Sequence, residues 1–136
     1  MRQRTAYFLG LVLSFSAHAG PDLSPERIPG DSFLQKSALK ISYNSRHKQA
    51  DWVYYPLGSE QLKNCVKRSG SFMPDPRLSR EKSAELADYS GSGFDKGHLS
   101  PAADNRWTDA AMKESFHLSN ISPQPPMFNQ HIWAKL

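Results

Sequence analysis

The segment FDKGHLSPAADN, from Phe94 to Asn105, offers little that a hydrophobic core could use. It surrounds one histidine, His98, with an acid, a lysine and an asparagine. Gly97, directly before the histidine, lets the backbone bend and approach another group closely. An imidazole titrates near neutral pH, so His98 is a candidate general base, although a solvated histidine in a turn is the ordinary interpretation. The segments on either side decide which fold presents this histidine.

Upstream of that segment, the sequence predicts a β-hairpin. The runs LKISYNSR and DWVYYPL are rich in β-branched and aromatic residues, and the polar HKQA separates them. Two strands joined by so short a connection are expected to pair in antiparallel fashion.

Downstream, the sequence predicts a helix, a strand and a second helix. Thr108 is suited to cap a helix over DAAMKESF, HLSNISPQ is typical of a short strand, and PPMFNQHIWAKL resembles a helix entry. Together with the hairpin, this order predicts an α+β domain with a mainly antiparallel sheet flanked by helices.

The N-terminus has the pattern of a secretory signal peptide over residues 1–19. MRQR is basic, TAYFLGLVLSFS is a short apolar run, and AHA resembles a cleavage site. We therefore expect an exported, periplasmic or secreted protein that has no membrane association after cleavage. Residues 20–37, rich in proline and glycine, are expected to form an exposed leader, and residues 38–136 a single domain.

The net charge and the cysteine content exclude few classes of function. The chain has 17 basic and 13 acidic residues, and loss of Arg2 and Arg4 with the signal peptide would leave a net charge of about +2. So mild an excess does not by itself indicate a polyanionic partner. Cys65 is the single cysteine, which excludes an intrachain disulfide. A cysteine hydrolase using Cys65 with His117 or His131 is a distant alternative.

Three further residues have both an ordinary and a functional interpretation. Asn129 could cap the last helix, or its amide oxygen could bind a hard cation such as Mg²⁺. Arg68 could be a solvated surface arginine, or its planar guanidinium could bind phosphate oxygens in bidentate fashion. Asn120 lies in an apparent strand, where a hydrogen bond to a neighbouring loop is the ordinary interpretation.

Taken together, DYSGSGFDKGHLSPAADNRW, FHLSNISPQ and FNQHIWAKL resemble the DNA/RNA non-specific endonucleases, the family of the Serratia-type nuclease and endonuclease G. The resemblance runs from about Leu39 to Leu136. It implies a ββα-metal fold in which one Mg²⁺, or Mn²⁺ as the alternative, is held by a single asparagine and by water, opposite a histidine base.

The resemblance also implies roles for individual residues. His98 falls on the general base and Asn129 on the metal-binding asparagine. Asn120 falls on the second active-site asparagine, which supports the water and metal network. These three residues are therefore the predicted centre of the site.

Positive charge is implied at two further positions. Arg68 falls near the transition-state arginine of the family, with Arg77 and Arg80 as competitors for that role. Lys96 stands where the family has an arginine, so the charge is kept but the bidentate fork is lost. Lys96 and Arg68 are accordingly predicted to bind the substrate.

The implied function is an exported, Mg²⁺-dependent endonuclease that hydrolyses phosphodiester bonds of DNA and RNA and leaves 5′-phosphate ends. Family members carry a glutamate directly after the position of Leu136, so we expect the C-terminal part of the domain to be missing. The alternative is an inactive remnant that only binds nucleic acid. A homodimer and a protein inhibitor stay open.

Overall fold

A computed structural model describes residues 22–133, so the predicted signal peptide lies outside the described residues. Within this range the chain forms an α+β structure of short elements. No helix in the range is long and apolar enough to cross a membrane. In chain order the elements are β1 (Ser32–Gln35), β2 (Lys40–Asn44), β3 (Gln49–Tyr54), a 3₁₀ turn (Leu86–Tyr89), β4 (Asp95–His98), a second 3₁₀ turn (Ala102–Asn105), α1 (Asp109–Ser115), a third 3₁₀ turn (Leu118–Asn120), β5 (Ile121–Gln124) and a π-helical turn (Phe128–Ile132).

The first three strands form one antiparallel sheet in the order β1-β2-β3. The predicted hairpin is confirmed, because β2 pairs with β3 over Lys40–Tyr54. A bulge between Ser42 and Tyr43 shifts the register of this pair. Four buried residues form the core of this sheet: Leu34, Leu39, Ile41 and Tyr43.

The expectation of an exposed leader over residues 20–37 is wrong for its last part. Ser32–Gln35 forms β1 and pairs with β2, and Leu34 is only 5% exposed. Lys36, directly after β1, is 4% exposed. The reason is that β2 would otherwise present an unpaired edge, which β1 covers with backbone hydrogen bonds and an apolar side chain.

The second sheet is the antiparallel pair of β4 and β5. Between these two strands along the chain, α1 begins as predicted, since the Thr108 hydroxyl accepts a hydrogen bond from the Ala111 amide at 3.1 Å. The predicted strand over HLSNISPQ begins later, at Ile121, because Leu118–Asn120 forms a 3₁₀ turn. The helices that flank the sheets are therefore short, and the longest one described is the seven-residue α1.

One aromatic residue joins the two remaining core clusters. Phe72 packs against a cluster that includes Leu118 and Ile121, and also against one that includes Met112 and Phe116. It is thus held between β5 and α1, next to the end of β4.

Candidate active site

His98 is the last residue of β4 and pairs with Ile121 of β5. The Gln124 side chain lies directly over the residue before it. A Cβ atom on Gly97 would lie 2.1 Å from the Cδ atom of Gln124. A larger residue at position 97 would displace this side chain, so the glycine permits the close approach that the sequence predicts.

Two phenylalanine rings flank the imidazole. The ring centroid of His98 lies 5.4 Å from that of Phe72 and 5.0 Å from that of Phe116, in an edge-on arrangement with the latter. The Nε2 atom is buried and has no hydrogen-bond partner among residues 22–133. Burial, and then the positive charge of Arg68, lowers the pKa of His98 to about 4. His98 is therefore a neutral imidazole at pH 7.

Two cations lie over the same two rings. The guanidinium carbon of Arg68 is 5.2 Å from the centroid of Phe116, and the Lys96 ammonium is 5.6 Å from that of Phe72. Lys96 is two residues before His98 in β4, so both side chains project from the same face. Neither cation forms an ion pair with a carboxylate in the described part of the chain. We call these five residues the His98 pocket.

The two competing arginines are engaged elsewhere. Arg77 donates to the backbone carbonyl of Gln35 and, at 3.2 Å, to the Glu114 carboxylate. Arg80 donates to the Glu85 carboxylate at 3.1 Å. Arg68 is thus the arginine that the structure brings to His98.

Asn120 makes the hydrogen bonds to a neighbouring loop that its ordinary interpretation predicts. It is fully buried, its Oδ1 accepts the Ser100 amide at 2.9 Å, and its Nδ2 donates to the carbonyls of Ser100 and Ser115. Its backbone carbonyl also accepts the Leu99 amide at 2.9 Å. Because the carboxamide is used on backbone groups, Asn120 holds the loop that follows His98 and does not reach a substrate. Support of a water and metal network by Asn120 stays a prediction.

Asn129 lies inside the π-helical turn, and its side chain makes no capping bond, so the helix-cap interpretation is wrong. Its Nδ2 donates to the Asp95 carboxylate at 3.0 Å, and Gln130 donates to the same oxygen at 2.7 Å. These hydrogen bonds lower the pKa of Asp95, with that of Asn129 contributing most. Asp95 is three residues before His98, which places the two side chains on opposite faces of β4. The described contacts therefore join Asn129 to Asp95 and not to His98.

The oxygen atoms at Asn129 and Asp95 are suitable ligands for a hydrated Mg²⁺. Its Oδ1 makes no hydrogen bond within residues 22–133, and the Asp95 carboxylate lies beside it. No cluster of three or more histidine, cysteine, aspartate or glutamate side chains occurs in the same range. Mg²⁺ keeps most of its waters and needs only one or two protein oxygens, so a single amide oxygen with one nearby carboxylate suits it.

The cysteine-hydrolase alternative receives no support. Cys65 is exposed, whereas His117 is buried and accepts a hydrogen bond on Nδ1 from Lys36 at 2.7 Å. No hydrogen bond joins Cys65 to His117 or to the exposed His131 in the portion that the structure describes.

The sequence patterns do not predict that Phe72 and Phe116 flank His98. Phe72 and Phe116 resemble ordinary core residues, and both do pack in the core. The available signal is the position of Phe116 at the start of FHLSNISPQ, one of the segments that carry the resemblance.

Comparisons with known proteins find related endonucleases. The family model for DNA/RNA non-specific endonucleases matches residues 26–136. Nuclease C1 of Cunninghamella echinulata var. echinulata is 45% identical, over 76% of this chain and 43% of the relative. Mitochondrial endonuclease G of Bos taurus is 39% identical, over 88% of this chain and 41% of the relative. The chain thus spans about two fifths of the length of these relatives.

A solved structure has the same fold. The crystal structure of the EndoG/EndoGI complex aligns with a TM-score of 0.72 and 30% identity, over 79% of this chain and 46% of that chain. The antiparallel pair of β4 and β5, followed along the chain by the helical turn that carries Asn129, is consistent with a ββα-metal fold. The chain belongs to the DNA/RNA non-specific endonuclease family.

Proposed function

We propose that the protein is an exported, Mg²⁺-dependent endonuclease that hydrolyses phosphodiester bonds of DNA and RNA and leaves 5′-phosphate ends; Mn²⁺ is the alternative ion. The observation that carries the proposal is the His98 pocket, where a neutral imidazole lies beside two cations without acidic partners. Membership of the nuclease family supports the same conclusion.

His98 acts as the general base. Its neutral imidazole takes a proton from a water molecule while the water oxygen forms a bond to phosphorus and the bond from phosphorus to the 3′ oxygen breaks. The 3′ oxygen leaves with the bonding electrons and takes a proton from solvent, and the new P–O bond stays on the 5′ side. A pKa of about 4 keeps the free imidazole neutral. A bound phosphodiester raises that pKa, because its negative charge stabilises the imidazolium.

Arg68 and Lys96 bind the phosphate. The Arg68 fork can donate two hydrogen bonds to non-bridging oxygens, whereas Lys96 provides a compact point charge. Both lie over the rings that flank the base, so they fix the phosphorus close to His98. Phosphates are identical at every step of a strand, which makes contacts of this kind insensitive to sequence.

Asn129, with the Asp95 carboxylate beside it, would hold the metal ion. When bound there, Mg²⁺ would supply positive charge that stabilises the negative charge of a phosphate. Asp95 holds the Nδ2 atom of Asn129, which leaves the Oδ1 atom free to bind an ion. Asp95 is thus expected to orient the ligand.

The test is nicking of supercoiled plasmid by the purified chain with Mg²⁺, next to a sample with EDTA and the His98→Ala variant. We expect nicking that disappears with EDTA and falls about 10²–10⁴-fold in the variant, the usual effect of losing a general base. Metal-independent nicking, or full activity of the variant, would overturn the proposal.

A second candidate function is binding of nucleic acid without cleavage. The observation in its favour is that Asp95, which accepts a hydrogen bond from Asn129, lies on the face of β4 opposite to His98. A folded chain that retards plasmid in a gel but never nicks it would establish this alternative.

A further inference from the structure

A second group of polar side chains is buried inside the protein, away from the His98 pocket. The Lys36 ammonium lies 2.5 Å from the Asp75 carboxylate and donates to Nδ1 of His117 at 2.7 Å. The Ser119 hydroxyl donates to the same Asp75 oxygen at 2.5 Å. We call Lys36, Asp75, His117 and Ser119 the Lys36 cluster.

The side chains of the Lys36 cluster are almost fully buried. The side chains of Lys36 and Asp75 are 0% exposed, and Ser119 is 1% exposed. Burial by itself would raise the pKa of Asp75, but the Lys36 ammonium and the Ser119 hydroxyl lower it below its usual value. Burial lowers the pKa of Lys36, whereas the negative charge of Asp75 opposes that shift. The two groups lie 2.5 Å apart and are buried away from water. Burying two charges is costly, and such pairs are best explained where they specify one arrangement of the chain.

The Lys36 cluster joins three separate parts of the chain. Lys36 follows β1, Asp75 belongs to an irregular segment, and His117 and Ser119 follow α1. Backbone bonds align the last two parts, because the Met73 carbonyl accepts the Leu118 amide at 2.8 Å. The end of β1 is also fastened to α1, since Glu114 accepts the Ser37 amide at 2.7 Å.

These same segments carry the two walls of the His98 pocket. Phe72 is three residues before Asp75, and Phe116 is directly before His117. The Met73 amide donates to the Phe116 carbonyl at 3.2 Å, and the two rings lie 5.3 Å apart. A change in the separation of the two segments therefore changes the space in which the imidazole lies.

We propose that Lys36 is a positioning residue for the nuclease reaction: by holding Asp75 and His117 together, it fixes the spacing of Phe72 and Phe116 around His98. This inference rests on the proposed function, in which His98 is the base. In this role Lys36 touches neither substrate nor metal, and it acts through the two rings alone. Without it the rings separate, bulk solvent surrounds the imidazole, and His98 loses the orientation in which it takes a proton from the attacking water.

The test compares Lys36→Met with Lys63→Met in the purified chain. Lys63 is the matched control, because it pairs with Glu60 while its side chain is 57% exposed. Two readouts are needed: the titration of the His98 ring by NMR, and kcat and KM for plasmid nicking, all well below each variant's melting temperature. The titration does not require activity, so it separates this inference from the proposed function.

We expect Lys36→Met to move the His98 pKa from about 4 towards its ordinary value of 6.5. We also expect kcat to fall about tenfold to a hundredfold, because small misplacements of a catalytic group are that costly, with little change in KM. Lys63→Met should match the wild type in both readouts. A folded Lys36→Met chain whose His98 titrates as in the wild type would overturn the inference.

Two further variants keep the test usable if Lys36→Met does not fold. Lys36→Met/Asp75→Asn removes both charges and leaves no unpaired ion, and Ser119→Ala removes one hydrogen bond without changing any charge. Both are expected to shift the His98 titration in the same direction as Lys36→Met, with Ser119→Ala shifting it least. Unchanged titrations in both folded variants would also overturn the inference.

Discussion

Burial shifts the pKa of His98 and of His117 in the same direction, but the side chains around the two histidines differ. Burial lowers the pKa of both. His117 accepts a hydrogen bond from Lys36, with Asp75 opposite, and the contacts of its ring are internal. His98 lies between two aromatic rings with two cations over them, and within residues 22–133 it forms no ion pair with an acid. The side chains that contact a histidine, more than the extent of its burial, therefore separate a structural role from a catalytic one.

The largest expected effect comes from replacing each histidine in turn. His98→Ala should lower plasmid nicking about 10²–10⁴-fold while leaving the melting temperature close to that of the wild type. His117→Ala should cost stability, about 1–3 kcal/mol, because the Lys36 ammonium loses its acceptor. Nicking rates and thermal unfolding of both variants check this. Equal losses of activity in two equally stable variants would remove the distinction between the histidines.

The next effect is on stability in acid. Since burial lowers the pKa of His98 to about 4, the unfolded chain binds more protons than the folded chain between pH 6.5 and 4. The contribution of His98 to the free energy of unfolding is therefore fully present above pH 6.5 and decreases as the pH falls from 6.5 to 4. For His98 the loss amounts to up to about 3 kcal/mol, at 1.4 kcal/mol per pKa unit.

Denaturant unfolding at a series of pH values measures this loss. The His98→Ala variant should show a shallower decline than the wild type, whereas the variant of the exposed His47, His47→Ala, should follow the wild type. A decline in His98→Ala as steep as that of the wild type would show that His98 is not buried in its neutral form.

A third effect concerns the cation that lies over Phe116. Arg68→Ala should lower nicking about 10²-fold, which is typical of losing one donor to a developing negative charge. Arg68→Lys should recover only part of the rate, because the fork is lost. The neighbouring and equally exposed Lys67 supplies the control, Lys67→Ala. If both alanine variants lose activity equally, the effect is one of general surface charge.

The smallest effect concerns the metal. Asn129→Ala should raise the Mg²⁺ concentration that gives half-maximal nicking about tenfold, as loss of a metal ligand or its support does. Gln130→Ala is the comparison, since Gln130 donates to the same Asp95 oxygen. It should change the Mg²⁺ requirement less. Equal shifts would mean that both residues act only through Asp95.

Local patterns of the sequence predicted the parts of the fold that local interactions decide. The hairpin of β2 and β3 and the cap at Thr108 follow from propensity and hydrogen-bonding chemistry within a few residues. The motif around His98 identified the family and therefore the fold. These features need no knowledge of distant contacts.

The remaining features depend on distant contacts, which no local pattern reports. Lys36 looked like a leader residue because its partners, Asp75 and His117, are far away in sequence. Asn120 looked available because the carbonyls that bind it belong to other segments. The walls of the His98 pocket come from two phenylalanines that a sequence cannot distinguish from other core residues.

The most direct test of the central claim is chemical rescue of the His98→Ala variant by added imidazole, followed by plasmid nicking with Mg²⁺. If His98 is the base of the proposed nuclease, nicking should recover in proportion to the concentration of neutral imidazole and should decline as the added imidazole becomes protonated. A variant that nicks at the wild-type rate without imidazole, or recovery that follows imidazolium, would contradict the account.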